Sequence, residues 1–153
     1  MEFENFTDRA RGFIQSAQTL ALRSGHQQLV PLHVLKCLLD DKEGLAATLI
    51  TAAGGDAKKA LNLTEAELGK LPKVEGPGAG QVHLAAETAR IFEQAEQIAE
   101  KSGDSFVTAE KLLLVIVLAG GTSAAKAMKD AGITAQALNK AITDFRQGKT
   151  ADS

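Results

Sequence analysis

Few side chains in this chain have the type and spacing that chemistry requires. The sequence holds three histidines, His26, His33 and His83, and a single cysteine, Cys37. A zinc site needs three or four ligands at short helical or knuckle spacing, and these histidines lack it. No metal site is expected. His33 lies in a Pro-Leu-His stretch that opens a helix, where a structural hydrogen bond is its expected role. Cys37 sits in an apolar helical stretch, and no activating base can be placed beside it, so a buried core thiol is expected.

Other motifs fail on context. Gly148-Lys149-Thr150 resembles the end of a phosphate-binding loop. That loop needs a glycine where Thr143 stands, a strand before it and a helix after it. The glycines from Gly76 to Gly80 lack dinucleotide-binding spacing and read as a linker. Glu93, Glu96 and Glu100 fall on one face of a helix, as a solvated face or as an acidic rim beside a groove. Glu96 and Glu100 repel each other by a few tenths of a kcal/mol. No pair of carboxylates is set up for split protonation, so no catalytic residue and no enzyme are expected.

Charge narrows the partners. The chain has 17 Lys plus Arg against 19 Asp plus Glu, in nearly even halves, without the basic excess that phosphate contacts need. Nucleic acid is not an expected partner. No run approaches the roughly 18 apolar residues of a membrane span, so no membrane partner is expected either. The start, MEFENFTDR, is acidic and lacks the apolar stretch of a signal peptide. One cysteine fits a reducing compartment, and a cytoplasmic location is the expectation.

The elements that would position such groups come from a repeat. Residue n matches residue n+78 without a gap from residue 6 to about residue 64. Ser24-Gly25 falls on Ser102-Gly103, and Ala53-Gly54 on Ala131-Gly132. Ala17, Ala21, Leu35, Ala46, Ala47 and Ala57 fall on identical residues, and Phe13, Leu20 and Leu38 fall on Ile91, Ile98 and Ile116. Each copy reads as four helices. The first carries an apolar stripe, from Phe6 through Ala10, Phe13, Ala17 and Leu20 to Ala21, and stops at Ser-Gly. The second starts at Pro31, or after Thr108 in the other copy, where Leu112 to Ala119 is apolar all round and should lie at the centre. Third helices fall near 44–53 and 122–131, and fourth helices follow the caps Asp56 and Thr134. No period-2 strand stands out.

Three segments carry a family resemblance: ALRSGHQQLVPLHVLKCLL at 21–39, LPKVEG at 71–76 and KSGDSFVTAEKLLL at 101–114. With the two Ala-Gly helix ends, they resemble the Clp N-domain repeat family, and within it the ClpB-type ATP-driven disaggregases more than the ClpA and ClpC types. The resemblance covers residues 1 to about 147. It implies an all-α fold of two tandem four-helix repeats related by pseudo-two-fold symmetry. The expected organisation is a first repeat at 1–70, a linker at 71–81, a second repeat at 82–147 and a flexible tail at 148–153 leading to an ATPase ring. It also implies a module that engages unfolded or aggregated polypeptide and passes it to the AAA+ rings of a homohexameric parent. ATP and magnesium belong to those absent rings, and no cofactor is expected in this domain. Docking of a folded adaptor, as in ClpA and ClpC, is the alternative.

Thr7, Asp104 and Glu110 have ordinary roles as helix cap, turn residue and helix-dipole partner. By resemblance they also match family positions linked to substrate handling. Phe92 lies one step off the stripe led by Ile91, Phe106 sits just before Thr108, and Leu22 lies off the first-helix stripe. Each is either a core residue or part of an exposed patch for unfolded chain. The site read from sequence is Thr7, Phe92, Asp104, Phe106 and Glu110, mainly on the second copy. Lys111 stands where the family's groove has an apolar residue, so substrate preference could be shifted. Binding of many sequences should be weak.

Overall fold

The computed structural model describes residues 3–76 and 80–146. The expected tail at 148–153, including the Gly-Lys-Thr stretch, and residues 77–79 of the linker lie outside them. The order is α1 (Asp8–Arg23), β1 (Gln28–Leu29), α2 (Pro31–Leu39), α3 (Leu45–Ala52), α4 (Ala57–Leu68), β2 (His83–Leu84), α5 (Ala86–Lys101), α6 (Ala109–Leu118), α7 (Ser123–Asp130) and α8 (Ala135–Arg146).

Local chemistry sets the helix ends. Thr7, Asp56, Thr108 and Thr122 each accept a hydrogen bond from a first-turn backbone N–H of the helix that follows. The Thr134 hydroxyl accepts likewise from the Ala137 N–H at 3.1 Å. Both long helices run into a Ser-Gly turn whose glycine is left-handed, Gly25 at φ 75° and Gly103 at φ 79°. Pro31 opens α2, where its missing N–H costs nothing.

As expected from its composition, α6 lies at the centre, with Ala109 and every residue from Lys111 to Ile116 buried. The two copies interlock rather than sit side by side. Helix α3 packs on α8, and in the same relation α7 packs on α4.

The chain does contain short strands that the sequence pattern does not show. Gln28 pairs with His83 and Leu29 with Leu84, parallel, while Phe6 forms an isolated parallel bridge to Val107. These contacts are symmetry mates: Leu84 stands 78 residues after Phe6, and Leu29 stands 78 before Val107. Each pairing joins the first copy to the second. A two-residue strand is too short for alternation to show.

At the centre of the same symmetry, residue 55 meets residue 133, its own counterpart. Gly55 faces Ile133 there, and a β-carbon at position 55 would stand 2.5 Å from Ile133 Cγ1. Two large side chains cannot share that place, so one copy keeps glycine and the other fills the space.

Candidate functional site

The seam between the N-terminal segment and the turn before α6 brings several of the sequence-chosen residues together. The Thr7 N–H donates to the Val107 carbonyl at 2.9 Å, and the Val107 N–H donates to the Asn5 carbonyl at 2.7 Å. This ladder holds the Thr7 cap beside Phe106 and the start of α6. Thr7, Phe106 and Glu110 are each half-buried. Glu110 sits in the first turn of α6, where the helix dipole favours a carboxylate. It shares a small gap with Phe13, Asp41 and Leu45.

Phe92 does not belong to this surface. It is 0% exposed, and its ring stands edge-on to Phe3 at 5.2 Å and to Phe6 at 6.1 Å. The exposed-patch reading of Phe92 is therefore corrected. The buried face of α5 runs through Thr88, Ile91, Phe92, Ala95 and Ala99, an arc wide enough to take in both neighbours.

Asp104 is present at the turn but engaged. Arg146, the last residue of α8, donates to its two oxygens at 2.8 and 2.7 Å. The Asp104 side chain is 1% exposed and that of Arg146 16%. A paired, bidentate carboxylate of this kind offers little to a passing ligand. Lys111 is equally unexpected, being only 6% exposed. Burial pulls its ammonium below the usual lysine range; Asp104 and Glu110 oppose the shift and Arg146 adds to it. Lys111 thus does not stand on the surface as a charged lip.

The same two positions in the first copy hold histidines. His26 matches Asp104 and His33 matches Lys111. His26 Nδ1 and His33 Nε2 are 2.8 Å apart, and the Val30 N–H donates to His33 Nδ1 at 3.0 Å. Burial and the neighbouring His26 push His33 down to about 4. The structural role expected for His33 is what the geometry shows. The sequence gives no sign of the pair, because its counterpart in the other copy is chemically different.

Cys37 is half-buried rather than fully buried. Burial, with Asp40 nearby, raises its thiol to about 11, which removes it as a nucleophile at neutral pH. Among the described residues no group of three or more His, Cys, Asp or Glu could hold a metal ion. No single helix among them is long and apolar enough to cross a membrane.

Apolar surface appears mostly where sequence reasoning did not look. Leu22, which the sequence leaves open between core and surface, is exposed, and with Leu84, Val82, Gln15 and Gln18 it borders a groove of about 480 Å³. A larger open depression of about 670 Å³ lies between the end of α6, α7 and the start of α8. Val117, Leu118, Ala125 and Ile133 line it, with Lys126 and Lys129 also on it. Leu118 could have been suspected, since it ends the apolar run of α6 just before Gly120-Gly121.

Among the described residues, eight helices in two interlocked copies, with matching Ser-Gly and Ala-Gly turns, define a fold of the Clp N-domain type. The chain belongs to the Clp repeat (R) N-terminal domain family, which matches residues 5–131. It is 58% identical over 153 residues to the chaperone protein ClpB of Rhodopseudomonas palustris and 53% identical to that of Agrobacterium fabrum. All of this chain is covered in both, but only 17% of each relative's length. Among solved structures it is similar to the Hsp104 N-terminal domain from Candida albicans, with a TM-score of 0.85 at 24% identity, covering 98% of this chain and 97% of that one. It is also similar to the N-terminal domain of ClpD from Arabidopsis thaliana, with a TM-score of 0.70 at 20% identity, covering 97% and 98%. The fold expected from the sequence, all-α with two tandem four-helix copies, is the fold of these domains.

Proposed function

We propose that this domain is the substrate-binding module of an ATP-dependent disaggregase, holding unfolded or aggregated polypeptide weakly and passing it to AAA+ rings elsewhere in a hexameric parent. The observation that carries this reading is the exposed apolar surface. Leu22, Leu84, Leu118 and Phe145 are 39–54% exposed, and the first three open onto grooves. Exposed apolar side chains beside open grooves suit extended chain of varied sequence and give little shape complementarity, so affinity stays low. ATP and magnesium act in the rings, not here. Of the residues chosen from sequence, Thr7, Phe106 and Glu110 touch the polypeptide in this reading, which their partial exposure supports. Asp104 acts by holding Arg146, and Phe92 by supporting Phe6.

The test is a titration of isotope-labelled domain with a permanently unfolded protein. Shifts at Leu118, Leu22 and Phe106 that saturate in the high-micromolar range or above are expected. No shift at any of these residues at high substrate concentration overturns the proposal. Capture of one folded protein at fixed stoichiometry, with no response to unfolded chain, points instead to adaptor docking.

A further inference from the structure

The open depression between the end of α6, α7 and the start of α8 combines apolar surface with one sign of charge. Leu118 is 44% exposed there, beside the half-buried Val117. Lys126 and Lys129 line it, and no acidic residue does. Lys126 reaches Asp130 at 3.4 Å, an exposed pair worth little. Among the described residues Lys129 has no ion pair.

The repeat supplies an internal comparison. Leu118, Gly121, Lys126, Lys129 and Thr134 stand where the first copy has Asp40, Glu43, Thr48, Thr51 and Asp56. Each difference makes the second copy less negative or more positive. Only Lys42, at the place of Gly120, runs the other way. The helices themselves match, with α3 and α7 both eight residues long and α4 and α8 both twelve. The fold therefore requires neither the exposed leucine nor the two lysines. The helix starts follow the same trend. Asp56 accepts the Lys59 N–H at the start of α4, whereas the neutral Thr134 hydroxyl accepts the Ala137 N–H at the start of α8. The positive end of the α8 dipole thus lacks the carboxylate that α4 has.

Apolar surface rimmed by cations, without a carboxylate of its own, favours an apolar group that carries negative charge beside it. A small molecule needs most of its surface buried, and an open depression of about 670 Å³ suits extended chain better. We propose that this depression takes extended polypeptide in which an apolar side chain is flanked by aspartate or glutamate. The apolar side chain lies on Leu118 and Val117, and the carboxylates reach Lys126 and Lys129. This rests on the polypeptide-binding reading above and adds a charge preference to it.

The test compares three short unstructured peptides that share one leucine-valine core, flanked by aspartates, serines or lysines. Each is titrated into the whole domain, and the methyl signals of Leu118, Val117 and Leu22 are followed. At low salt the aspartate-flanked peptide should bind at Leu118 about three- to tenfold more tightly than the lysine-flanked one, the worth of two exposed charges. Added salt should shrink that ratio. Lys126→Gln combined with Lys129→Gln should bring it close to one. Equal affinities, tighter binding of the lysine-flanked peptide, or an aspartate preference that survives in the double variant would each overturn the inference. Leu118 shifts on concentrating the domain alone would also overturn it, by making the depression a contact between two copies. Peptides that shift Leu22 but not Leu118 sink this inference and leave the polypeptide reading standing. No shift at either with any peptide sinks both.

Discussion

Arg146 closes over Asp104 with two parallel hydrogen bonds, tying the last residue of α8 to the turn that follows α5. With the Asp104 side chain 1% exposed, removing either partner strands the other in a poorly solvated place. Asp104→Asn and Arg146→Gln should each lower the unfolding free energy by about 3 kcal/mol. The double variant should cost clearly less than the sum. Denaturant unfolding of all four proteins measures this, and additive losses would show that the pair is not coupled.

Lys111 gives the opposite sign. Its ammonium is held below the usual range by burial, so the folded state disfavours its charge. Lys111→Met keeps the length and removes the charge, and should stabilise the domain by about 1 kcal/mol. A lower unfolding midpoint for this variant would mean that its attraction to Asp104 and Glu110 outweighs desolvation.

Stability should fall on acidification because of His33. Its value drops from 6.5 to about 4 in the folded state. Above 6.5 neither state binds the proton and the domain has its full stability. Between 6.5 and 4 the unfolded chain takes up a proton that the folded one refuses, so stability falls with pH and levels off below 4, by roughly 3 kcal/mol in all. In His33→Gln that part of the fall should disappear. Equal pH dependence of the two proteins between pH 7 and 4.5 would refute the assignment.

At the symmetry centre, Gly55→Ala puts a β-carbon 2.5 and 2.9 Å from Ile133 Cγ1 and Cδ1. Overpacking of this kind costs about 1–3 kcal/mol. Ile133→Ala removes both atoms, so the double variant should recover part of the loss, a coupling of about 1 kcal/mol in a double-mutant cycle. No recovery would locate the strain at Ile50, whose Cγ2 is the next neighbour at 3.2 Å.

Thr7→Ala should cost about 1 kcal/mol through the lost cap to the Ala10 N–H, and Thr7→Asn should restore most of it. Thermal unfolding of the two variants decides the matter, and equal stability would leave the hydroxyl with no structural part.

What could be read beforehand follows from range. Helices, caps and Ser-Gly ends depend on neighbours within four residues, and Thr7, Asp56, Thr108 and Thr134 cap as their types require. The repeat carried the pseudo-symmetry, because helix ends and core positions recur at a constant offset. Long-range geometry was hidden. Phe92 looked misplaced on a narrow stripe because nothing in α5 shows that Phe3 and Phe6 fold over it. Asp104 looked available because its partner lies 42 residues on, at the end of another helix. The His26–His33 pair was masked by the repeat itself, which substitutes Asp and Lys at the same two places.

The two cross-copy seams have a consequence for assembly. Each half contributes the short strand that finishes the other, so neither half is a complete fold. The covalent connection between the halves then raises the local concentration of one around the other. Pairing would also be selective. Two first halves would leave a hole where Gly55 met Gly55, and two second halves would collide at Ile133. If the chain is cut between the copies, each half is expected to pair with the other rather than with its own kind, since one glycine and one isoleucine fit together at the centre.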